Sequence, residues 1–189
     1  MIILNYLPNF FCEVWQIYFT FLFLNLAGKF FSSPSMWLIR LTISVYTYAQ
    51  IRFFDKFHTS QFRTGDCGVA CLLSVCRFYG IKSSKKSLRK LAGTTSKGTT
   101  LYGLKDAANK LGIVSEGYEA SINELKQLIE PSILHVVMNG RQHFVVCYGF
   151  DGYCFKIGDP GLIAGVKKFL PQQLDSVWKS KKLLKFAVL

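Results

Sequence analysis

Residues 61–72 have the sequence QFRTGDCGVACL and join a short polar stretch to a strongly apolar one. From Cys67 to Tyr79 the apolar residues recur with the spacing of a largely buried helix. Asp66 is placed to cap the start of this helix, and Gly80 is placed to end it. Backbone N–H groups and the helix dipole favour a thiolate in the first turn of a helix. The stretch therefore predicts a reactive cysteine, Cys67, at the start of a buried helix.

The rest of the chain predicts short helices first and an antiparallel sheet afterwards. Ser121 begins a capping-box pattern, and Asn-Gly at 139–140 and Asp-Gly at 151–152 are hairpin signals. The predicted elements are helices at Cys67–Tyr79, Ser84–Leu91, Leu101–Leu111 and Ser121–Ile129, followed by strands at Ser132–Met138, His143–Phe150 and Tyr153–Ile157. Helices followed by strands that are joined by tight turns predict an α+β fold rather than an alternating parallel sheet.

Three other residues could form a chemical group with Cys67. A thiolate needs a partner that accepts and returns a proton, and His143 lies at the start of a predicted strand. Asp159 follows the next strand and could orient that imidazole, while the side-chain amide of Gln61 could contribute to an oxyanion hole. Gly68 would let a substrate backbone approach closely. Each residue taken singly is more often structural, so the hypothesis depends on their joint order and spacing.

Seven motifs extend this pattern over residues 57 to about 175: QFRTGDCGVACL at 61–72, FYG at 78–80, LRKLAG at 88–93, GTTLYGL at 98–104, PSILH at 131–135, HFVV at 143–146 and Asp159-Pro160. Together they resemble the bacteriocin-processing cysteine peptidases, which form the N-terminal peptidase domain of peptidase-containing ABC transporters. The resemblance implies a papain-like cysteine peptidase fold.

The resemblance also implies roles for individual residues. Cys67 would be the nucleophile, His143 the general base and acid, and Asp159 the group that orients the imidazole. Gln61 would stabilise the oxyanion together with the backbone N–H of Cys67. Members of the family cut leader peptides after a double glycine on the cytoplasmic side, couple this cleavage to export, and need no cofactor for it. The expected partner is therefore a peptide with a Gly-Gly leader.

Two other functions stay open from the sequence: a module that binds leader peptides without cutting them, and a papain-like hydrolase that acts on another amide. The chain contains no Gly-x-x-x-x-Gly-Lys-Ser/Thr phosphate-binding motif. ATP hydrolysis by this chain is therefore not expected, and a separate ABC transporter is the expected export partner.

The composition changes near residue 54, which predicts a hydrophobic helical segment at 1–54 and a papain-like peptidase domain at 55–189. Glu13 is the single charged residue among the first 28. The uncharged run from Val14 to Gly28 has 15 residues. That length is short of the ~20 residues that a bilayer crossing needs.

One interpretation of this segment is a membrane-associated helix, with the protein at the bacterial inner membrane and the peptidase domain in the cytoplasm. The other is translated sequence upstream of an internal start at Met36, with a cytoplasmic protein.

The formal net charge of +12 favours anionic partners. A basic cluster consists of Lys82, Lys85, Lys86, Arg89 and Lys90. This cluster is either a solvated helix face or a docking site for an acidic patch on a leader peptide or partner. Binding of nucleic acid is disfavoured because no aromatic residues lie between the basic ones.

The six cysteines are expected to be free thiols, and their spacing predicts neither a disulfide framework nor a metal site.

Overall fold

The computed structural model describes residues 41, 42, 45, 49, 52–61, 63, 65–161 and 165–187. The chain divides into two compact units, Met1–Tyr48 and Ala49–Leu189. In the first unit Leu41 and Val45 are helical and exposed.

Most of the predicted hydrophobic segment, with Cys12 and Met36, lies outside the described residues. The division into 1–54 and 55–189 therefore stays a prediction. None of the helices in the described part of the chain has the length and hydrophobicity that a bilayer crossing requires.

Among its described residues, the second unit contains helical residues at 49 and 52–55 and, beyond them, five helices and six strands. Its helices are α1 (Cys67–Phe78), α2 (Lys85–Leu91), α3 (Leu101–Lys110), α4 (Ile122–Leu125) and α5 (Pro171–Val177). Its strands are β1 (Val114–Glu119), β2 (Ser132–Met138), β3 (Arg141–Phe150), β4 (Phe155–Gly158), β5 (Val166–Phe169) and β6 (Lys182–Ala187). The strands form one six-stranded antiparallel sheet in the order β1-β6-β2-β3-β4-β5.

The hairpin of β2 and β3 forms the centre of this sheet. Its register runs from Ser132 opposite Cys147 to Met138 opposite Arg141. Asn139 and Gly140 connect the strands with φ angles of 51° and 71°. Two consecutive positive φ angles are typical of a type I′ turn, whose twist matches that of the strands it joins.

The two faces of β3 alternate between two parts of the hydrophobic core. Phe144, Val146 and Tyr148 belong to the cluster that also contains the apolar face of α1. Val145 and Cys147 belong to the cluster that contains the fully buried Trp178. This period of two is the expected geometry of a strand buried on both faces, and it fixes the start of β3 beside the start of α1.

The residues just before α1 are tied to the sheet. Phe54 stacks on Tyr148 with ring centroids 4.9 Å apart, and Phe57 packs edge-on against Phe78 at 5.2 Å. The Asp55 carboxylate accepts a hydrogen bond of 2.8 Å from the backbone N–H at the start of β5. These contacts bring the chain that leads into α1 close to the loop between β4 and β5.

The α+β, papain-like fold that the sequence predicted is confirmed, and so are its central elements. Several predicted boundaries differ from the observed ones; for example, the third predicted strand begins at Phe155, and the helix predicted from Ser121 ends at Leu125. The Ser121 capping box is present. The three predicted strands are consecutive neighbours in the sheet, as β2, β3 and β4, whereas β1, β5 and β6 were not predicted. β1 precedes α4 and β6 inserts between β1 and β2, so the sheet is no simple meander.

Asp66 is the N-cap residue of α1, as predicted, but it does not cap the helix through its side chain. Its carboxylate forms an ion pair with Arg89 instead. The cysteines that the structure describes are all free.

Candidate active site

Cys67 is the first residue of α1 and lies at the edge of a cleft. Its neighbour Gly68 is buried, and a Cβ there would lie 3.1 Å from Leu104 and 3.2 Å from the Phe144 ring. The glycine therefore lets the start of α1 pack closely against α3 and β3. The structure thus gives Gly68 a packing role, because the position that a Cβ would take faces Leu104 and Phe144; close approach of a substrate backbone there stays a prediction.

His143 and Asp159 form a close pair next to Cys67. His143 Nε2 lies 2.7 Å from Asp159 Oδ1, and the same oxygen accepts a 2.8 Å hydrogen bond from the Gly161 N–H. Asp159 directly follows β4, whose Gly158 is opposite Val146 of β3. The sheet register therefore places the carboxylate beside the histidine. Because Nε2 is engaged by Asp159, Nδ1 is the nitrogen left for the thiol.

The thiol and the imidazole change each other's pKa. Burial by itself would raise the pKa of Cys67, but hydrogen bonds from His143 and from the Phe144 backbone outweigh it, so the pKa falls below its usual 9.0. Burial would likewise lower the pKa of His143, but its hydrogen bonds to Asp159 and Cys67 raise that pKa from 6.5 to about 9. Both shifts act in the direction of a thiolate beside an imidazolium.

Asp159 is charged despite its burial. It is 8% exposed. Burial by itself would raise the pKa of its carboxyl group, but hydrogen bonds from His143 and the Gly161 N–H outweigh it and lower that pKa. An ionised carboxylate fixes the tautomer and orientation of the imidazole that it accepts from.

Gln61 lies in the same cleft. Its backbone N–H donates a 2.8 Å hydrogen bond to the carbonyl of Pro160, the residue after Asp159. Its side-chain oxygen is buried and has no hydrogen-bond partner in the part of the chain that the structure describes. A buried acceptor without a partner is costly, so this oxygen is available to a donor group of a ligand in the cleft.

The cleft has a volume of about 900 Å³ and contains all four predicted site residues. One wall is the loop at 96–101, and the other is the tip of the β2–β3 hairpin. Gly65 has a φ of +92°, and a Cβ there would lie 3.2 Å from the Cα of Gly98. A side chain at Gly65 would therefore push the first wall away from the segment that leads to Cys67.

Sequence reasoning missed several residues of the cleft. His135 was not among the predicted site residues, yet it lines the cleft, with Nδ1 3.2 Å from the Ser180 hydroxyl. Lys97 and Lys182 line it as well. Lys182 belongs to β6, a strand that the sequence did not predict, so no local signal linked it to the site.

Metal ligands are not clustered around the cleft. In the described ranges, no group of three or more His, Cys, Asp or Glu side chains is arranged to hold a metal ion. The residues gathered in the cleft are instead a thiol, an imidazole, a carboxylate and an amide. This set can perform nucleophilic attack on a carbonyl, transfer a proton and stabilise an oxyanion.

Comparisons with known proteins agree with this chemistry. Residues 55–187 match the Peptidase C39 family. The lactococcin transport/processing ATP-binding protein LcnC-like of Lactococcus lactis subsp. lactis (strain IL1403) is 36% identical over 131 residues, which are 68% of this chain and 18% of that protein. The chain thus spans about a fifth of the length of this curated relative.

Two solved structures are similar over most of the described domain. The peptidase domain of Streptococcus ComA, a bi-functional ABC transporter involved in quorum sensing, superposes with a TM-score of 0.64 at 33% identity, covering 69% of this chain and 97% of that one. A double glycine motif protease from an AMS/PCAT transporter, solved with its leader peptide, has a TM-score of 0.62 at 27% identity, covering 69% and 89%. On this basis the chain belongs to the Peptidase C39 family, and its domain is a papain-like cysteine peptidase.

Proposed function

We propose that this chain is an endopeptidase that cuts peptides directly after a Gly-Gly leader, with Cys67 as nucleophile. The observation that carries the proposal is the contact series from the Cys67 thiol through His143 to Asp159, with the Gln61 amide in the same cleft. The likeness to a double glycine motif protease that was solved with its leader peptide supports the substrate class.

Attack would begin from the thiolate. Cys67 Sγ forms a bond to the carbonyl carbon of the second glycine, and the π electrons move to the oxygen. The Cys67 backbone N–H and the Gln61 side-chain N–H₂ donate hydrogen bonds to this oxyanion. Both groups lie at the cleft, so neither has to be brought in when charge develops.

The imidazolium of His143 then donates its Nδ1 proton to the leaving nitrogen as the C–N bond breaks. The mature peptide departs as an amine, and the leader stays as a thioester on Cys67. The neutral imidazole next takes a proton from water, whose oxygen attacks the thioester carbonyl. The leader leaves with a Gly-Gly carboxylate, and the thiolate–imidazolium pair is restored.

The proposed site of action is the bacterial inner membrane. The chain would work at the cytoplasmic face of a bacterial inner membrane, attached through residues 1–54, and would deliver its product to a separate ABC transporter. Sedimentation of the full chain with washed membranes, compared with a chain that starts at residue 55, tests the attachment. Equal distribution of the two chains would contradict it.

Turnover of a synthetic peptide with a Gly-Gly leader tests the function. The full chain should cut after the second glycine and should fail on a peptide in which both glycines are replaced by alanine. Cys67→Ala should lower kcat by about 10⁴-fold or more. Leader binding without turnover in the wild-type chain would instead support a non-cleaving binding module. Cleavage of unrelated amides at equal rates would support a different papain-like hydrolase.

A further inference from the structure

The segment between residues 58 and 66 carries Gln61 and leads directly into Cys67. Its position therefore sets the spacing of two groups that the proposed function places at one carbonyl. Residues 58–61 belong to neither a helix nor a strand. Regular backbone hydrogen bonding does not hold this part of the segment, and side chains from elsewhere supply bonds to it.

Lys85, the first residue of α2, binds the segment immediately before Gln61. Its Nζ donates a 2.6 Å hydrogen bond to the carbonyl oxygen of Ser60, in a part-buried environment. On the other side, the Gln61 N–H is bonded to the Pro160 carbonyl at 2.8 Å. The backbone at Gln61 is thus held between α2 and the loop that carries Asp159.

Arg89, one turn further along α2, binds the other end of the segment. Its guanidinium pairs with the carboxylate of Asp66, the residue before Cys67. The Asp66 side chain is 8% exposed and that of Arg89 is 32% exposed. A carboxylate buried to this extent needs a charged partner, because an unpaired buried charge is strongly destabilising. The pair therefore differs from an ordinary surface salt bridge.

The basic cluster thus divides into two groups. Lys82, Lys86 and Lys90 are exposed, whereas Lys85 and Arg89 contact the segment that carries the site. We infer that Lys85 and Arg89 are positioning residues, which hold Gln61 and Cys67 at the separation that peptide cleavage requires. This inference rests on the proposed function and assigns part of the cluster a role other than docking an acidic partner.

Loss of each residue should have its own signature. Without Lys85 the Ser60 carbonyl loses this donor, and Gln61 can shift relative to the oxyanion. Misplacement of a catalytic group by about 1 Å can cost as much as about 10²-fold in rate. Without Arg89 the Asp66 carboxylate, one residue before Cys67, has lost the cation that compensates its charge, and an uncompensated negative charge nearby opposes a thiolate.

Two measurements on the full chain separate these effects. The first is kcat and KM for a synthetic Gly-Gly leader peptide. The second is the alkylation midpoint, the pH at which alkylation of Cys67 by iodoacetamide reaches half of its maximal rate, measured by mass spectrometry of the fragment that contains Cys67. Alkylation needs neither an oxyanion hole nor substrate recognition. The variants are Lys85→Met and Arg89→Met, which keep the apolar stem. Lys86→Met and Lys90→Met are matched controls from the exposed part of the same helix.

Lys85→Met should lower kcat about 10-fold, with KM and the alkylation midpoint unchanged. Arg89→Met should move the alkylation midpoint to higher pH, and Asp66→Asn in the same chain should move it back. Lys85→Arg and Arg89→Lys should recover most of the lost function, and the two controls should match wild type. Thermal unfolding of each variant corrects kcat for the folded fraction.

Three outcomes would overturn the inference: both variants behave like Lys86→Met and Lys90→Met, the losses equal the unfolded fraction, or Arg89→Met leaves the alkylation midpoint in place. If the wild-type chain fails to cut the Gly-Gly peptide, the proposed function fails. In that case the pH midpoint for alkylation of Cys67 in Arg89→Met still tests the inference, because alkylation does not depend on peptide cleavage. Failure of the proposed function and failure of the inference are therefore distinguishable.

Discussion

Cys67 and Cys71 lie one turn apart on α1, and their thiols differ in every property that matters for reactivity. Cys67 borders the cleft, and although burial opposes it, hydrogen bonds from His143 and Phe144 lower its pKa. Cys71 is 1% exposed, and burial, followed by the nearby charges of Cys67 and Asp159, raises its pKa well above the usual value. Burial acts on both thiols, so the difference between their pKa shifts comes from the groups that bond to Cys67.

This comparison shows how much of the reactivity the helix itself supplies. The helix dipole and the free N–H groups act within the first turn, which includes Cys67 and excludes Cys71. Yet the largest single effect on either thiol is burial, which favours the neutral form. The proposed reactivity of Cys67 therefore depends on the imidazole that β3 brings to the helix start.

The largest expected effect follows from removing that imidazole. His143→Ala removes the main group that opposes the effect of burial on Cys67. The pKa of Cys67 should therefore rise, as burial raises that of Cys71. We expect kcat/KM for a Gly-Gly peptide to fall by about 10⁴-fold, as for loss of a triad member. The rate of Cys67 alkylation across a pH series checks the pKa change. An unchanged alkylation profile would show that the helix start alone activates the thiol.

A smaller effect should follow from removing the carboxylate. The pKa of His143 is about 9, so the activity of wild type should decline as pH rises through that value and the imidazolium loses its proton. Asp159→Asn removes the negative charge, so the effect of burial on His143 is opposed mainly by Cys67 and the pKa of His143 falls. The alkaline decline should therefore move to lower pH, with a loss in kcat/KM of about 10²-fold at neutral pH.

Asp151→Asn is the matched control for this change. Its carboxylate accepts hydrogen bonds from the backbone N–H groups of Tyr153 and Cys154, in a turn outside the cleft. It should keep the wild-type pH profile. An alkaline decline that stays in place in Asp159→Asn would contradict the role of Asp159 as the group that raises the pKa of His143.

The smallest effect is expected at Cys71 itself. Cys71→Ala removes a fully buried sulfur from the core, which should cost about 1 kcal/mol of the free energy of unfolding. Urea denaturation measures this cost, and kcat/KM should stay within about 2-fold of wild type because no step uses this thiol. A loss of activity comparable with that of His143→Ala would show that the two thiols act together.

Local patterns were enough to predict much of the fold and the order of the site residues. The period of the apolar residues after Cys67 predicted α1, and the Asn139-Gly140 turn predicted the hairpin that carries His143. Both features depend on residues close together in the chain, where spacing reports geometry directly. The roles suggested for Gln61 and Asp159 depended on the joint order of the site residues and on the resemblance to a family of peptidases, because neither residue carries a local signal by itself.

By itself the sequence determined which residues can do chemistry and the elements that carry them, because helix periodicity and turn preferences act over a few residues. The tertiary structure decided which of them meet. Arg89 pairs with Asp66 across 23 positions of the chain, and Lys85 reaches Ser60 across 25. β6 enters the sheet between β1 and β2 and brings Lys182 to the cleft. Such contacts arise from packing between distant segments, and no periodicity within one segment encodes them. Cys67 has a reactive environment and Cys71 an inert one for the same reason.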